Sequence, residues 1–293
     1  VKPGGEPGAG VTGLPEATAP GPESSAAGPE SLAVDRGSAV VGPANAAVEL
    51  ESTAVGPESP AERPGPLAGR LTGFLDEWPM SVAEAEAAQE RLRPLTDLAD
   101  PGPETVLHVA GLDVAYATEG DGVTAAVVVL DARTLDVVDQ AVVRERARFP
   151  YVPGLFAFRE LPPLLTALER LRVTPELLVC DGYGLAHPRR FGLACHIGVL
   201  TGLPAIGVAK TAFVGRYDVP APERGSWAPI VDGGEVVGRA LRTRAGVKPV
   251  YVSQGHRIGL DAACRHVLRL APEYRLPEPI RRADRLSRSG SPT

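Results

Sequence analysis

ELLVCDGYGLAHPRRFGLACHIGVLTGLPAIGVAK, residues 176–210, is the stretch that decides the fold. Two short apolar runs, Leu177–Cys180 and Ala205–Val208, are too brief for helices and read as buried strands. Between them, Gly192–Leu200 is apolar at helical spacing, so the segment is strand, helix, strand. A second helix is predicted upstream, from about Leu155 to Leu171. Before that helix the period changes to two. Val106–Tyr116, Thr124–Leu130 and Leu135–Arg144 are β-branched runs separated by Gly120, Asp121 and Gly122, then by Asp131 and Arg133, which predicts a three-strand antiparallel meander. Downstream, Ala228–Val231, Val236–Thr243 and Val250–Ser253 read as strands and Leu260–Leu270 as a helix. A meander followed by strand-helix-strand units predicts an α/β protein, a mixed sheet with flanking helices.

The folded part is expected to begin near Leu67–Trp78, where aromatic residues first appear. Ser81–Leu98 reads as a helix with Ser81 as its N-cap and Glu84 as the capping-box partner. Residues 1–66 hold 11 Pro, 11 Gly and no aromatic residue, too little apolar surface to offset the entropy of ordering, so a disordered tail over 1–66 and a domain over 67–293 are predicted. The net charge of −6 resides in that tail, which carries three basic and nine acidic side chains. From Val237 onward, twelve Arg or Lys face four Asp or Glu, so overall acidity does not exclude a nucleic-acid partner.

Cys180, Cys195 and Cys264 form no CxxC pair and are read as buried thiols of a reducing compartment. With no run of roughly 18 apolar residues and no signal-peptide pattern, a cytoplasmic protein without membrane attachment is expected. Nothing in the sequence calls for more than a monomer.

Three carboxylates stand out. Asp113 interrupts the first apolar strand, where an unpaired charge costs several kcal/mol. Asp181 ends the strand Leu177–Cys180, at the kind of strand end where α/β sheets bind ligands. Glu160 lies on the helix between them, just before Pro162 and Pro163. Each also has an ordinary reading, as an edge-strand charge, a turn residue and a solvated helix residue. Together they form a hard oxygen donor set suited to Mg²⁺.

Basic residues accompany them: His187, Arg189 and Arg190 after Asp181, Lys210 after the second strand, then Lys248, His256 and Arg257. Acids that hold a metal and cations that neutralise phosphate oxygens suit metal-assisted phosphodiester hydrolysis. Only Lys2, Lys210 and Lys248 are lysine among 30 basic residues, so Lys210 is retained in a chain that otherwise prefers arginine. A compact, titratable ammonium that contacts the scissile phosphate or the metal-bound water is the expectation.

The strings VAGLDVAYA, FPYVPGLFAFRELP, DGYGLAHPRRFGLACHIGVLTGLPAIGVAK, VKPVYVSQGHRIGL and YRLPEPIRRADRLSR resemble, in this order, the endonuclease V family, from about Trp78 to Arg288. The resemblance implies a ribonuclease H-like fold. It implies Mg²⁺-dependent cleavage, with Mn²⁺ able to substitute, of DNA at the second phosphodiester bond 3′ to deoxyinosine, the product of adenine deamination. Asp113, Glu160 and Asp181 match the family's metal-binding carboxylates, and Lys210 and His256 its further active-site residues. His187 matches a position near the lesion.

Tyr151 with Pro153, in PYVPG, matches the family's wedge, where a stiff aromatic tip can fill the gap left by a base rotated out of the stack. The alternative is a core tyrosine beside Phe149. The resemblance also places hypoxanthine recognition on backbone around Gly154, Leu155, Gly182 and Gly184, with Tyr183 a departure that bears on substrate preference. Arg275, Arg281, Arg282, Arg285 and Arg288 are expected to meet flanking phosphates. Inosine-containing RNA is the alternative substrate, since only contacts to the 2′-hydroxyl discriminate the two backbones. A lesion-binding protein without useful cleavage is the alternative outside the enzymes.

Overall fold

The computed structural model describes Leu67 and residues 71–289 of the chain. The tail predicted over residues 1–66 lies outside the described residues. The meander forms as β1 (His108–Tyr116), β2 (Gly122–Asp131) and β3 (Val137–Arg146), antiparallel throughout. The deciding segment supplies β4 (Leu177–Asp181) and β5 (Ala205–Ala209), which run parallel to each other, and β4 is parallel to β1. A second antiparallel group, β6 (Trp227–Asp232), β7 (Glu235–Leu241) and β8 (Val250–His256), completes one eight-stranded sheet in the order β3-β2-β1-β4-β5-β8-β7-β6. This is the mixed sheet of a ribonuclease H-like fold.

Among the described residues, five α-helices flank it: α1 (Val82–Leu92), α2 (Ala157–Glu169), α3 (Leu193–Thr201), α4 (Leu260–Leu270) and α5 (Glu278–Ser289). Alternation along the strands divides the core in two. Leu112, Cys180 and Val127 face α2 and α3, while Val109, Val179 and Val208 face α4 and α5. The predicted cap of α1 is present in full, with Ser81 accepting from Glu84 N and the Glu84 carboxylate accepting from Ser81 N. The helix itself is shorter than the expected Ser81–Leu98, because Pro94 sits in a 3₁₀ turn over Arg93–Leu95 that ends it.

Two prolines inside α2 remove backbone donors from its ladder. Pro162 leaves the carbonyl of Phe158 without its helical partner, and the Trp78 indole Nε1 donates to that oxygen at 2.9 Å. The same contact stacks Trp78 near Phe158 and His196, which ties the segment before α1 to α2 and α3.

Sequence periodicity did not reveal α5. Its exposed face is almost wholly arginine, and only Pro279, Ile280, Ala283 and Ser287, with Glu278, are buried. Burial of Ile280 and Ala283 holds it on the sheet, and Gly111 of β1 lets it come close, since a Cβ atom there would lie 2.1 Å from the backbone of Pro279. Only glycine allows helix and strand to approach this closely. No helix among the described residues is long and apolar enough to cross a membrane.

Candidate active site

The parallel register of β1 and β4 pairs Leu112 with Cys180, so Asp113 and Asp181 follow at the same level on neighbouring strands, about 5 Å apart between backbones. Both side chains lie on the α5 side of the sheet. Glu160 enters from the first turn of α2. These acids and Lys210 line one cleft of about 690 Å³ together with Asp284 and Arg288 of α5.

Each acid has one oxygen held by the protein. Ser287 donates to Asp113 Oδ2 at 2.6 Å, Tyr116 to Glu160 Oε1 at 2.7 Å, and Lys210 Nζ to Asp181 Oδ2 at 2.6 Å. Burial raises the Asp113 carboxyl to about 6; the Ser287 hydrogen bond opposes the shift, and Asp181 and Asp284 add to it. Burial likewise raises Glu160 to about 7, against the Tyr116 hydrogen bond and with the repulsion of Asp113 and Asp181. Burial disfavours the Lys210 ammonium, but Asp181 outweighs it and the pKa rises, so the lysine is charged. Arg275 donates to the Lys210 carbonyl at 2.6 Å and to that of Pro249 at 2.8 Å, which fixes the backbone from which the lysine projects.

A second cavity of about 250 Å³ opens beside the cleft and shares Glu160, Asp181 and Lys210 with it. Its remaining wall includes Gly154, Gly182, Tyr183, His187 and Phe213. Tyr183 stacks at a tilt on Phe213, with ring centroids 5.1 Å apart, and His187 meets Phe213 edge-on at 5.7 Å. Burial lowers the His187 pKa to about 4, so the ring is neutral at pH 7. Gly154, at φ +82, adopts a backbone conformation that side chains resist and leaves the mouth of this pocket open.

Tyr151 is 68 % exposed and packs at 4.5 Å on Phe156, whereas Phe149 is buried, so the core-tyrosine alternative does not hold. Pro153 beside it is exposed as well.

Several expected positions stand elsewhere. His256 pairs with Ala205 at the start of β5, while Lys210 follows Ala209 at its end, roughly 16 Å along the strand. Its Nδ1 accepts from Asp97 N at 3.1 Å, so His256 anchors the segment after α1 and is not brought to the carboxylates. Gly184 does not line the pocket either: a Cβ there would meet the Gln254 carbonyl oxygen at 2.0 Å, so its role is packing against β8. Leu155 belongs to the core with Phe149 and Phe158. Arg189 pairs with Glu86 of α1, and Arg190 with Asp232 and Glu235 at 2.8 Å, so both are engaged within the protein. Arg275 spends Nε and one terminal nitrogen on backbone carbonyls, and Arg281 and Arg282 pair with Glu278, which leaves Arg285 and the exposed end of Arg288 as the more available cations of α5.

Asp284 and Ser287 were missed. The signal was present: Asp284 is the one acid among the arginines of RRADRLSR, yet net charge masked it. Among the described residues, no three His, Cys, Asp or Glu side chains already stand close enough to grip a metal ion. The donor chemistry nevertheless fits a hard cation: Asp113, Glu160, Asp181 and Asp284 bring carboxylate oxygens to one cleft, where the mutual repulsion that helps raise the pKa of Asp113 and Glu160 is of the kind a bound cation relieves.

Residues 90–285 match the family model for endonuclease V. The chain belongs to the endonuclease V family. The family's curated member from Streptomyces avermitilis is 58 % identical over 212 residues, 72 % of this chain and 93 % of the relative. The crystal structure of a Streptomyces avermitilis endonuclease V superposes with a TM-score of 0.71 at 57 % identity, covering 73 % of this chain and 94 % of that one. A more distant family structure, the Ciona intestinalis endonuclease V in complex with a 24mer DNA containing an inosine followed by a ribo-adenosine, has a TM-score of 0.62 at 30 % identity, covering 71 % of this chain and 96 % of that one. Membership makes the chain an endonuclease, and the lesion-binding alternative without cleavage falls away.

Proposed function

We propose that this chain nicks DNA at the second phosphodiester bond 3′ to a deoxyinosine and so initiates repair of deaminated adenine. The observation that carries the reading is the wall common to the two cavities: Glu160, Asp181 and Lys210 bound both the acidic cleft and the pocket beside it. A base rotated into a pocket of about 250 Å³ would leave its 3′ phosphates running over the carboxylates. The inosine-containing DNA bound by the Ciona relative supports the same substrate class.

Asp113, Glu160 and Asp181, with Asp284 at the rim, are the side chains that would hold Mg²⁺ or Mn²⁺. Bound there, the cation supplies Lewis acidity toward the phosphate and its leaving oxygen. Lys210, held beside Asp181, neutralises phosphate charge. Neutral His187 and the open backbone at Gly154 and Gly182 meet the edge of the flipped base, and a second aromatic surface comes from Tyr183 and Phe213. Tyr151, exposed on a loop stiffened by Pro150 and Pro153, would fill the vacated stack.

The test is an end-labelled duplex with a single deoxyinosine, incubated with protein and Mg²⁺ beside Asp113→Asn and a chelator. The expected product is one nick, one nucleotide beyond the lesion, absent in both controls. An intact duplex beside a cleaved inosine RNA of the same sequence would transfer the substrate to RNA.

A further inference from the structure

We infer that the hydroxyl of Tyr116 is a positioning device for Glu160, which it holds as a single-oxygen ligand facing the cleft; this rests on the metal-dependent reading above. Tyr116 ends β1, three residues beyond Asp113, so alternation turns its side chain to the face where α2 lies while Asp113 turns to α5. There its hydroxyl donates to Glu160 Oε1 at 2.7 Å. One carboxylate oxygen is thereby occupied by a neutral donor, and Oε2 is left for a cation.

The ring is fixed from behind. Arg159, the residue before Glu160, places its guanidinium 5.3 Å from the Tyr116 ring centroid and anchors itself by donating to the Phe149 carbonyl at 2.8 Å. Arg159 is buried, so this support does not swing with solvent. The arrangement is matched across the cleft, where Ser287 occupies one oxygen of Asp113 and Lys210 one oxygen of Asp181. Three acids from three elements thus each present one oxygen, and a partner on each acid sets which oxygen that is. Such partners orient a metal ligand without touching the metal. Tyr116 offers a clean test of this role: phenylalanine would keep the ring and its contact with Arg159 and lose only the oxygen.

The experiment measures Mn²⁺ binding directly, without DNA, by calorimetry on the full chain. It compares wild type, Tyr116→Phe, Glu160→Gln and the double variant, with thermal melting recorded for each. Tyr116→Phe is expected to weaken Mn²⁺ binding about tenfold with an unchanged melting temperature, the lower end of what removing such an orienting partner costs. In the Glu160→Gln background the same substitution is expected to change binding less than twofold, because the hydroxyl acts only through that carboxylate. In nicking assays, raising Mn²⁺ is expected to restore the Tyr116→Phe rate toward wild type, a change in metal requirement with little change in kcat. Wild-type affinity in Tyr116→Phe overturns the inference. Equal effects in both backgrounds overturn it too, by showing that the hydroxyl acts elsewhere. Failure of wild type to take up Mn²⁺ overturns the metal reading and the inference with it, whereas wild-type affinity in Glu160→Gln removes only the ligand role of Glu160 and the device built on it.

Discussion

Lys210 Nζ stands 2.6 Å from Asp181 Oδ2, at the point where the acidic cleft meets the neighbouring pocket. β4 and β5 are parallel neighbours with Asp181 paired to Val208, so the lysine, two residues further on, emerges at the carboxyl end of the sheet beside the aspartate. The pair keeps the lysine charged and confines it to one side of the cleft.

From this follows a prediction about geometry as opposed to charge. Lys210→Arg keeps the charge but replaces a compact ammonium with a planar fork, in a site sized for the former. Nicking of deoxyinosine DNA is expected to fall at least about tenfold in Lys210→Arg, and further in Lys210→Met, with melting temperatures unchanged. A Lys210→Arg enzyme as fast as wild type, measured by single-turnover nicking, would remove the case for a specific lysine.

Glu160 and Asp113 make stability depend on pH in a defined direction. Both carboxyls have raised pKa values in the folded protein, about 7 and about 6, so between about pH 4 and pH 7 the folded state binds more protons than the unfolded one. Stability of the metal-free protein therefore declines as pH rises through that window. For Glu160 the penalty at pH 8 is on the order of 3 kcal/mol. Glu160→Gln is accordingly expected to melt at least about 3 °C above wild type at pH 8 and to lose that advantage at pH 4.5, by scanning calorimetry in chelator. The same carboxylates must be ionised to hold a cation, so Mn²⁺ affinity is expected to rise with pH over the same range.

Gly111 links packing to the site. Adding one methyl there drives a Cβ into the Pro279 backbone, and α5 must shift as a unit with Asp284 and Ser287 on it. Gly111→Ala is expected to cost about 2 to 3 kcal/mol in denaturant unfolding and to lower nicking more than its folded fraction explains. Wild-type stability in this variant would mean that α5 is not seated as tightly as the backbone contact indicates.

Much of this was legible in the residues. The meander and the strand-helix-strand segment follow from periodicities of two and 3.6, and each observed strand from β1 to β8 overlaps its predicted run. Asp113 and Asp181 stood out because a charge within or at the end of an apolar strand is costly. Asp284 did not, because a lone acid on an arginine-rich helix looks like an ion-pair partner, which it also is, pairing with Arg288 at 3.0 Å. Nor could sequence separate His256 from the site. A histidine in a polar GHR segment gives no sign of which end of its strand it occupies, and that is settled only by the antiparallel pairing of β8 with β5.

Tyr151 is a projecting residue whose loss costs little packing. Tyr151→Ala is expected to change unfolding free energy by less than about 0.5 kcal/mol, as for an exposed side chain. Binding to deoxyinosine duplex is expected to weaken at least fivefold, by roughly the 1 kcal/mol or more that aromatic stacking on a base supplies, while binding to undamaged duplex stays the same. Unchanged discrimination in gel-shift titrations would end the wedge assignment.

His256 offers the sharpest contrast between a residue that catalyses and one that holds structure. It is buried, its Nδ1 accepts from Asp97 N, and the neighbouring Arg257 donates through Nε to Asp100 at 3.1 Å and through its backbone N to the Asp97 carbonyl at 2.7 Å. Residues 97–100 are thereby pinned to the end of β8, far along the strand from Lys210. Losing the acceptor strands a backbone donor and leaves a void, so His256→Ala is expected to lose about 2 kcal/mol or more of stability. At a temperature where both proteins are fully folded, its nicking rate is expected to stay within about threefold of wild type, since general acid–base catalysis by a true participant is worth 10²-fold or more. A 10²-fold loss of rate in a fully folded His256→Ala, measured under single turnover, would return this histidine to the reaction and require a movement of β8 that brings it there.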